Sequence, residues 1–458
     1  MNMKNQTACC STENFPVQIK SKKKEFPTLP VAVIGAGPIG LAAAAHLANA
    51  GEKFIVLEAG PSVGHHVLEW GHVQLFSPWQ YNIDKAAREL LEKQGWDAPF
   101  NDELPTGKEL VENYLLQVAE LPQINPSIQL NTKVISISKK GLDKMKSTNR
   151  ENVPFVLYVD NQGVTEQIEA KAVIDATGTW GQPNSMNSAG VWTEEEKALE
   201  NQIFYGIPNM NSKERERFIG KQVAVIGGGH SAINTILELS KLNEERSDLK
   251  ITWILRKKDV EEAYGGKEKD ALQARGELGT KIHQLVNSGK VQVYTPFRIS
   301  NVEEKEGTLK LNGELKGESF SIEGLDELIV NTGSRPDFSH LSEVRLAIDA
   351  ATESVQALAS LIDPNLHSCG TVPPHGEEEL RQPEKNFYIV GMKSYGRAPT
   401  FLMATGYEQV RSVVAYLTGD YEAAKNVELD LPETGVCSIN LSTNITDESC
   451  CSATTDCC

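Results

Sequence analysis

Two glycine-rich runs carry the chemistry most readily read from this chain. They are Gly35-Ala-Gly37-Pro38-Ile-Gly40 and, about 190 residues later, Gly227-Gly-Gly229-His230-Ser231-Ala232. Each has the Gly-x-Gly-x-x-Gly/Ala spacing. The first glycine permits a tight turn, the second lets backbone approach a pyrophosphate, and the third lets a helix pack closely on a strand. The N-terminus of that helix offers N–H donors and a positive dipole to the phosphates. A chain with two such sites can pass electrons from one bound dinucleotide to the other. Glu58 follows Gly35 at about the 20-residue offset of a carboxylate that accepts ribose hydroxyls. In the second run the matching place holds Arg256-Lys257-Lys258, cations that attract a 2′-phosphate where a carboxylate would repel it. The first site is therefore assigned to FAD and the second to NADPH.

The eight cysteines are a second source of chemistry. Six form adjacent pairs near the chain ends, Cys9-Cys10, Cys450-Cys451 and Cys457-Cys458. Adjacent cysteines rarely bridge comfortably, and no Cys-x-x-Cys or Cys-x-x-x-x-Cys spacing of a flavin-linked dithiol occurs. Paired thiolates suit soft ions such as Cu(I), Hg(II) or trivalent arsenic, so Cys450, Cys451, Cys457 and Cys458 are candidates for soft-ion capture. The competing reading is a set of cysteines without function in a tail whose Ser, Thr, Asn and Asp content predicts disorder.

Elements that position these groups follow from the apolar pattern. Short runs at 31–34 and 54–57 read as buried parallel strands around a helix that opens at Leu41, and 223–226 and 251–255 repeat the pattern around a helix over 231–240. Ala172-Val-Ile-Asp-Ala-Thr177-Gly178 and Leu328-Ile-Val-Asn-Thr-Gly333-Ser-Arg335 are matched return strands, and the chain comes back to the first unit at Asn386-Phe-Tyr-Ile-Val-Gly391. Met392 stands where many such flavoproteins carry an Asp that bonds the ribityl chain. Thr106-Gly-Lys-Glu109 is a capping box that opens a helix to about Leu121, and strands are expected at 134–137 and 155–159. Pro399 is expected at the first position of a helix through Val414, with Gly406 as a place where it could break. The expected fold is α/β, with two Rossmann-like dinucleotide-binding domains and the NADPH domain inserted in the FAD domain. Its divisions are an N-terminal arm at 1–29, FAD domain at 30–200 and 337–432, NADPH domain at 201–336, and a Cys-containing tail at 433–458. FAD contacts are expected from Gly35, Gly37, Pro38, Gly40, Glu58, Val134, Thr177, Gly178, Gly391 and Met392. NADPH contacts are expected from Gly227, Gly229, His230, Ser231, Arg256, Lys257, Gly333 and Arg335.

A formal net charge of −17 argues against nucleic acid as a partner. The apolar stretch 31–48 is explained by its fingerprint rather than by a membrane, and Met1 to Asn14 lack the apolar core of a signal peptide. A cytoplasmic location with reduced cysteines is the resulting expectation.

Longer segments narrow the reading. Glu69-Trp-Gly-His-Val-Gln-Leu-Phe-Ser-Pro-Trp79, Asp143-Lys-Met-Lys146, Asp363-Pro-Asn-Leu-His-Ser-Cys-Gly-Thr-Val-Pro-Pro-His-Gly376 and Gly391-Met-Lys-Ser-Tyr-Gly-Arg-Ala-Pro-Thr-Phe401 give the chain its resemblance. It resembles the flavin-dependent monooxygenases that include N-hydroxylating and Baeyer–Villiger enzymes. More narrowly, it is similar to flavoproteins encoded in bacterial arsenic-resistance gene clusters. Met210 stands where the Phe-x-Gly-x-x-x-His signature of the broader class would place His after Phe204-Tyr-Gly206, which argues against a Baeyer–Villiger reaction. The resemblance implies an FAD- and NADPH-dependent monooxygenase. It would use molecular oxygen, through a flavin C4a-hydroperoxide, to oxidise a trivalent arsenical, arsenite or methylarsenite, to its pentavalent form. Cys369, with His367 and His375 nearby in sequence, is the first candidate for holding that substrate and Cys437 the second, and His375 is a candidate contact as well. Tyr395 and Arg397 follow Gly391 closely enough to approach the flavin. Two alternatives remain at this stage, a thiol-rich metalloid-binding flavoprotein reductase and an N-hydroxylase of an amine.

Overall fold

The structure, a computed structural model, describes residues 28–245, 248–267, 270, 272–364, 375–398 and 401–429. Strand β1 (Val31–Ile34), helix α1 (Pro38–Asn49) and strand β2 (Phe54–Leu57) form the first β-α-β unit. Both strands are apolar and pair in parallel, Ile34 opposite Leu57. Their near-complete burial is what a parallel sheet covered on both faces requires. Four consecutive alanines, Ala42 to Ala45, are fully buried in α1 and let it lie close to the sheet. A short helix, α2 (His65–Glu69), follows. Beyond it the capping box forms as expected, with the Glu109 N–H donating to Thr106 Oγ1 at 3.2 Å and the Thr106 N–H donating to Glu109 Oε2 at 2.7 Å. The helical path runs from Gly107 to Glu120 through a π-turn at Val111–Leu115.

Strand β3 (Ile128–Gln129) completes the sheet edge, and β4 (Thr132–Lys139), β5 (Phe155–Asn161) and β6 (Val164–Ala170) make an antiparallel layer. Strand β7 (Ala172–Asp175) then returns beside β1.

The second unit repeats this plan. Strand β8 (Ile203–Tyr205) is an edge, and β9 (Gln222–Ile226), helix α3 (His230–Glu245) and β10 (Lys250–Ile254) are the β-α-β core. Helix α4 (Gln273–Asn287) leads to β11 (Val291–Tyr294). The antiparallel strands β12 (Phe297–Lys305), β13 (Thr308–Leu315) and β14 (Glu318–Leu325) precede the return strand β15 (Glu327–Val330). Strand β16 (Phe387–Ile389) rejoins the first sheet beside β7. The sheet orders are β16-β7-β1-β2-β3 and β11-β10-β9-β15-β8. The second sheet lies, in sequence, wholly between the last two strands of the first, as the expected insertion requires.

Two crossing segments join the units and hold each other. Asn184 N–H donates to Gly333 O at 2.9 Å, Thr332 Oγ1 donates to Asn184 O at 2.8 Å, and Thr179 Oγ1 lies 2.9 Å from Ser334 Oγ. A buried ion pair, Arg150 with Glu384 at 2.7 Å, ties the loop after β4 to the approach of β16. The Arg150 guanidinium also donates to Asp143 O and Glu343 O.

The last long helix differs from expectation. Helix α5 (Met403–Thr418) begins four residues beyond Pro399, which lies outside the described residues. Gly406 does not break it. A Cβ there would come within 2.5 Å of Ile39 Cδ1, so the glycine serves close packing of α5 on α1. Among the described residues no helix is long and apolar enough to cross a membrane.

Candidate active site: two dinucleotide cradles

The first cradle is built at the carboxyl ends of β1, β2 and β7. Gly35 has φ +95°, and a Cβ there would lie 2.9 Å from Ala176 O. At Gly40 it would lie 1.9 Å from Gly35 O, so both glycines are sterically required. Gly37 is different, because nothing lies within 4 Å of a Cβ placed there. That open space faces the uncapped N-terminus of α1, where Pro38 stands at the first position and no side chain takes the free N–H groups. Free N–H groups before open space can receive a pyrophosphate. Glu58 is held at the end of β2 by the Ala36 and Gly60 N–H groups, which donate to its two oxygens at 2.7 Å each. Thr132 N–H donates to Glu58 O, which brings the start of β4 alongside. Val134 lies two residues on, its side chain buried.

The second cradle repeats these contacts. Gly227 has φ +137°, and a Cβ there would meet Asn331 O at 2.3 Å. The paired carbonyl thus belongs to the residue two before Gly333, just as Ala176 is two before Gly178. Gly229 again faces open space. Lys257 runs along this turn, its Cε 3.2 Å from a Cβ placed on Gly228, and its ammonium donates to Glu262 O at 2.6 Å. Arg256 is exposed and donates only weakly, at 3.3 Å, to Ser188 O. Both basic residues therefore stand at the end of β10 where an adenosine 2′-phosphate would lie.

His230 and Ser231 open α3. The His230 ring is 5.5 Å from that of Phe76, a residue of the first unit, and the Arg275 guanidinium lies 5.8 Å from the Phe76 ring while paired to Asp270. Burial, helped by the nearby Arg275 charge, pushes the His230 imidazole down to about 4. The phosphate end of the second cradle therefore has a wall contributed by the first unit.

At the end of β16, the turn Gly391–Tyr395 is gripped from two sides. Gly391 N–H donates to Gln409 Oε1 at 2.7 Å, and the Gln409 amide nitrogen lies 2.8 Å from His375 Nε2 and 3.0 Å from Ser394 Oγ. Because the Gln409 oxygen is committed to a backbone N–H, its NH2 group must be the donor, and His375 Nε2 must accept. From the other side Lys393 donates to Asp175 Oδ2 at 2.7 Å and to Thr177 Oγ1 at 3.0 Å. His340 Nε2 lies 3.2 Å from the same Asp175 oxygen. Thr177 donates its N–H and hydroxyl to Asp175 Oδ1. Lys393 and Asp175 are both fully buried. Burial alone would push the Asp175 carboxyl up, but the Lys393 ammonium and His340 hold it well below the usual carboxylate range.

The predicted residues are placed as follows. Gly35, Gly37, Pro38, Gly40, Glu58, Thr177, Gly178 and Gly391 gather around the carboxyl ends of the first sheet, with Met392 half-buried beside them. Gly227, Gly229, His230, Ser231, Arg256, Lys257 and Gly333 gather at the second. The Arg335 side chain pairs with Glu353. Tyr395 is buried against the His375 and Phe401 rings, and burial pushes its hydroxyl far up. Arg397 is exposed. Cys369, His367, Cys437 and the four tail cysteines lie outside the described residues, as do Cys9 and Cys10. Among the described residues no group of three metal-ligating side chains occurs. Sequence reasoning missed Asp175, Lys393 and His340. The available signal was an acid closing an otherwise apolar buried strand.

Two parallel sheets joined as insertion and host, each with a glycine-rich dinucleotide turn, define a two-nucleotide oxidoreductase. The chain belongs to the pyridine nucleotide-disulphide oxidoreductase family, which it matches over residues 32–360. The expected enzyme class and cofactor pair, an oxidoreductase working with FAD and NADP(H), stand with that family. The chain is similar to a ferredoxin–NADP reductase of Lactococcus lactis subsp. cremoris (strain SK11), with 28% identity over 306 residues, 67% of this chain and 74% of that protein. Its fold is shared with a bacillithiol disulfide reductase from Bacillus cereus, with TM-score 0.61 and 21% identity, covering 86% of this chain and 99% of the other. It is shared as well with a cadaverine monooxygenase of desferrioxamine biosynthesis from Erwinia amylovora, with TM-score 0.60 and 13% identity, covering 88% and 97%.

Proposed function

We propose that this chain is an NADPH- and FAD-dependent monooxygenase that oxidises trivalent arsenicals, arsenite or methylarsenite, to pentavalent forms and so contributes to arsenic resistance. The reading is carried by one combination, two dinucleotide cradles in a chain with no Cys-x-x-Cys pair to receive electrons. Gly35, Gly37, Gly40 and Glu58 would hold the adenosine diphosphate half of FAD, and the turns at Thr177-Gly178 and Gly391-Met392 its flavin half. Gly227, Gly229, Arg256 and Lys257 would hold NADPH. When bound, FAD accepts a hydride from NADPH and in its reduced form activates molecular oxygen. The protein orients the two nucleotides and keeps water out. The divisions proposed are an FAD domain at 30–200 and 337–432, an NADPH domain at 201–336, and terminal segments at 1–29 and 433–458.

Substrate choice rests on thiol chemistry, because trivalent arsenic prefers thiolates. Cys369 precedes His375 by six residues in sequence, and His375 is fixed through Gln409 to Gly391, at the turn proposed for the flavin. Cys437 is the second proposed contact, and Cys450, Cys451, Cys457 and Cys458 are proposed to collect the ion. The test is oxygen uptake with arsenic speciation, on FAD-loaded protein given NADPH and either arsenite, methylarsenite or no substrate. The expected result is one oxygen and one NADPH consumed per pentavalent arsenical formed. Unchanged arsenic, with NADPH oxidised to NADP⁺ and oxygen reduced only to hydrogen peroxide, would remove the proposal.

A reductase reading is favoured by the curated relatives, which are named ferredoxin–NADP reductases. It expects NADPH-driven reduction of a protein or metalloid acceptor with no oxygenated product. An amine N-hydroxylase shares the fold and would show hydroxylamine formation with cadaverine or ornithine in place of arsenic turnover.

A further inference from the structure

We propose that Asp175 and Lys393 form a buried latch that positions the two backbone turns, Thr177-Gly178 and Gly391-Met392, between which the flavin half of FAD is held. This rests on the assignment of FAD to the first cradle. Strands β7 and β16 are neighbours in the sheet, and ligands of open parallel sheets bind beyond the carboxyl ends of such strands. Asp175 is the last residue of β7, and Lys393 lies in the turn that follows β16. Both turns also touch the dinucleotide fingerprint. Ala176 O abuts Gly35, and a Cβ on Gly391 would come within 3.1 Å of Ile39 in α1.

Burying two full charges is expensive, and an apolar pair of similar volume often serves stability as well or better. Stability alone therefore gives no reason for this pair, whereas its contacts give a specific one. Each oxygen of Asp175 is saturated, Oδ1 by the Thr177 N–H and hydroxyl, Oδ2 by Lys393 and His340. The donors of Thr177 are thereby consumed inward. Gly178, at φ +67°, is left facing space in which an added Cβ would touch nothing within 4 Å. Lys393 reaches across to Thr177 Oγ1, so one ammonium grips both turns at once. The opposite side of the second turn is fixed by Gln409 on Gly391 N–H and by Ser394 Oγ donating to Gly391 O. With Met392 where an acid would hold the ribityl hydroxyls, recognition there falls to the backbone, and a backbone contact is only as good as the order of its turn. Lys393 is thus a positioning residue whose effect is to pre-organise the flavin site.

The test measures FAD affinity of apoprotein by flavin fluorescence quenching, alongside thermal stability of the apoprotein and NADP⁺ affinity. K393M is expected to weaken FAD binding at least tenfold and to shift the flavin visible absorption, with NADP⁺ affinity unchanged. T177V, which removes only the hydroxyl bridge and leaves both charges paired, is expected to weaken FAD binding by a few-fold and serves if K393M does not fold. The decisive variant is D175N/K393M. A pair that matters only through its charges would recover both stability and FAD affinity once neither charge remains. A latch would recover stability while FAD affinity stays low. Equal FAD affinity in wild type, T177V and the double variant would overturn the latch and leave the flavoprotein assignment standing. Absence of FAD binding by the wild-type protein would instead overturn the assignment on which the latch rests.

Discussion

Replacing Arg256 by alanine tests the reading of the second cradle most directly. Its guanidinium is exposed and has a single long contact, 3.3 Å to Ser188 O, so its removal should change the stability of the protein by no more than about 0.5 kcal/mol. Against a bound 2′-phosphate the same group would make charge-assisted hydrogen bonds worth about 1.5–3 kcal/mol. That corresponds to roughly 10- to 150-fold in affinity. Lys257 and Lys258 remain nearby, and Lys257 is already tethered to Glu262 O, so the lower end, roughly 10- to 30-fold, is expected. The assay is flavin reduction by NADPH and by NADH at fixed ionic strength, with KM for each. R256A should raise KM for NADPH by that factor while leaving NADH unchanged, because NADH has no phosphate for Arg256 to meet. A parallel loss for both nucleotides would show that Arg256 supports the fold of the site, and no loss for either would show that the phosphate lies elsewhere. Each outcome would refute the argument.

Gly37 and Gly40 should separate binding from folding. G37A has room for its Cβ in the free protein and should keep the apoprotein melting temperature while reducing the flavin absorbance retained on purification. G40A, with its Cβ 1.9 Å from Gly35 O, should lower both. R150M strands Glu384 in the core and should cost about 3–5 kcal/mol in denaturant unfolding, whereas surface pairs such as Lys197 with Glu194 should cost less than about 1 kcal/mol when broken. His230 gives a pH dependence. Folded, it stays neutral down to about 4, whereas the unfolded imidazole takes up its proton near 6.5. Between these values the unfolded state binds more protons, so stability falls as pH drops through that window. H230F should flatten that part of a melting temperature profile, and an unchanged profile would show that the ring is not buried in solution.

Much of the scaffold was legible because local pattern dictates local structure. The apolar runs at 31–34 and 54–57 are strands with those bounds, since a four-residue apolar run beside a glycine fingerprint has few other uses, and the return segment read from Ala172 to Gly178 is a strand only as far as Asp175. The capping box at Thr106 was legible for the same reason. The start of α5 was not, because Pro399 suits a first helical position without compelling one. Partner choice was the least legible. Asp175 and Lys393 are 218 residues apart, and Arg150 and Glu384 are 234 apart, so nothing local marks either pair. The first pair meets because β16 lies beside β7, a neighbourhood that the insertion of an entire second sheet conceals. Arg335 has a partner that its place after Gly333 does not announce, since it pairs with Glu353, 18 residues on.

The wall that Phe76 lends to His230 has a thermodynamic corollary. Gly64 N–H donates to Ala36 O inside the first glycine turn, and the chain from Gly64 runs through α2 to Phe76. One short stretch therefore touches both cradles. If FAD, on settling between α1 and Glu58, stiffens that stretch, it will alter the affinity for NADPH. By linkage NADPH must then alter the affinity for FAD by the same factor. Flavin retention would then depend on nicotinamide supply, although the two nucleotides occupy separate cradles.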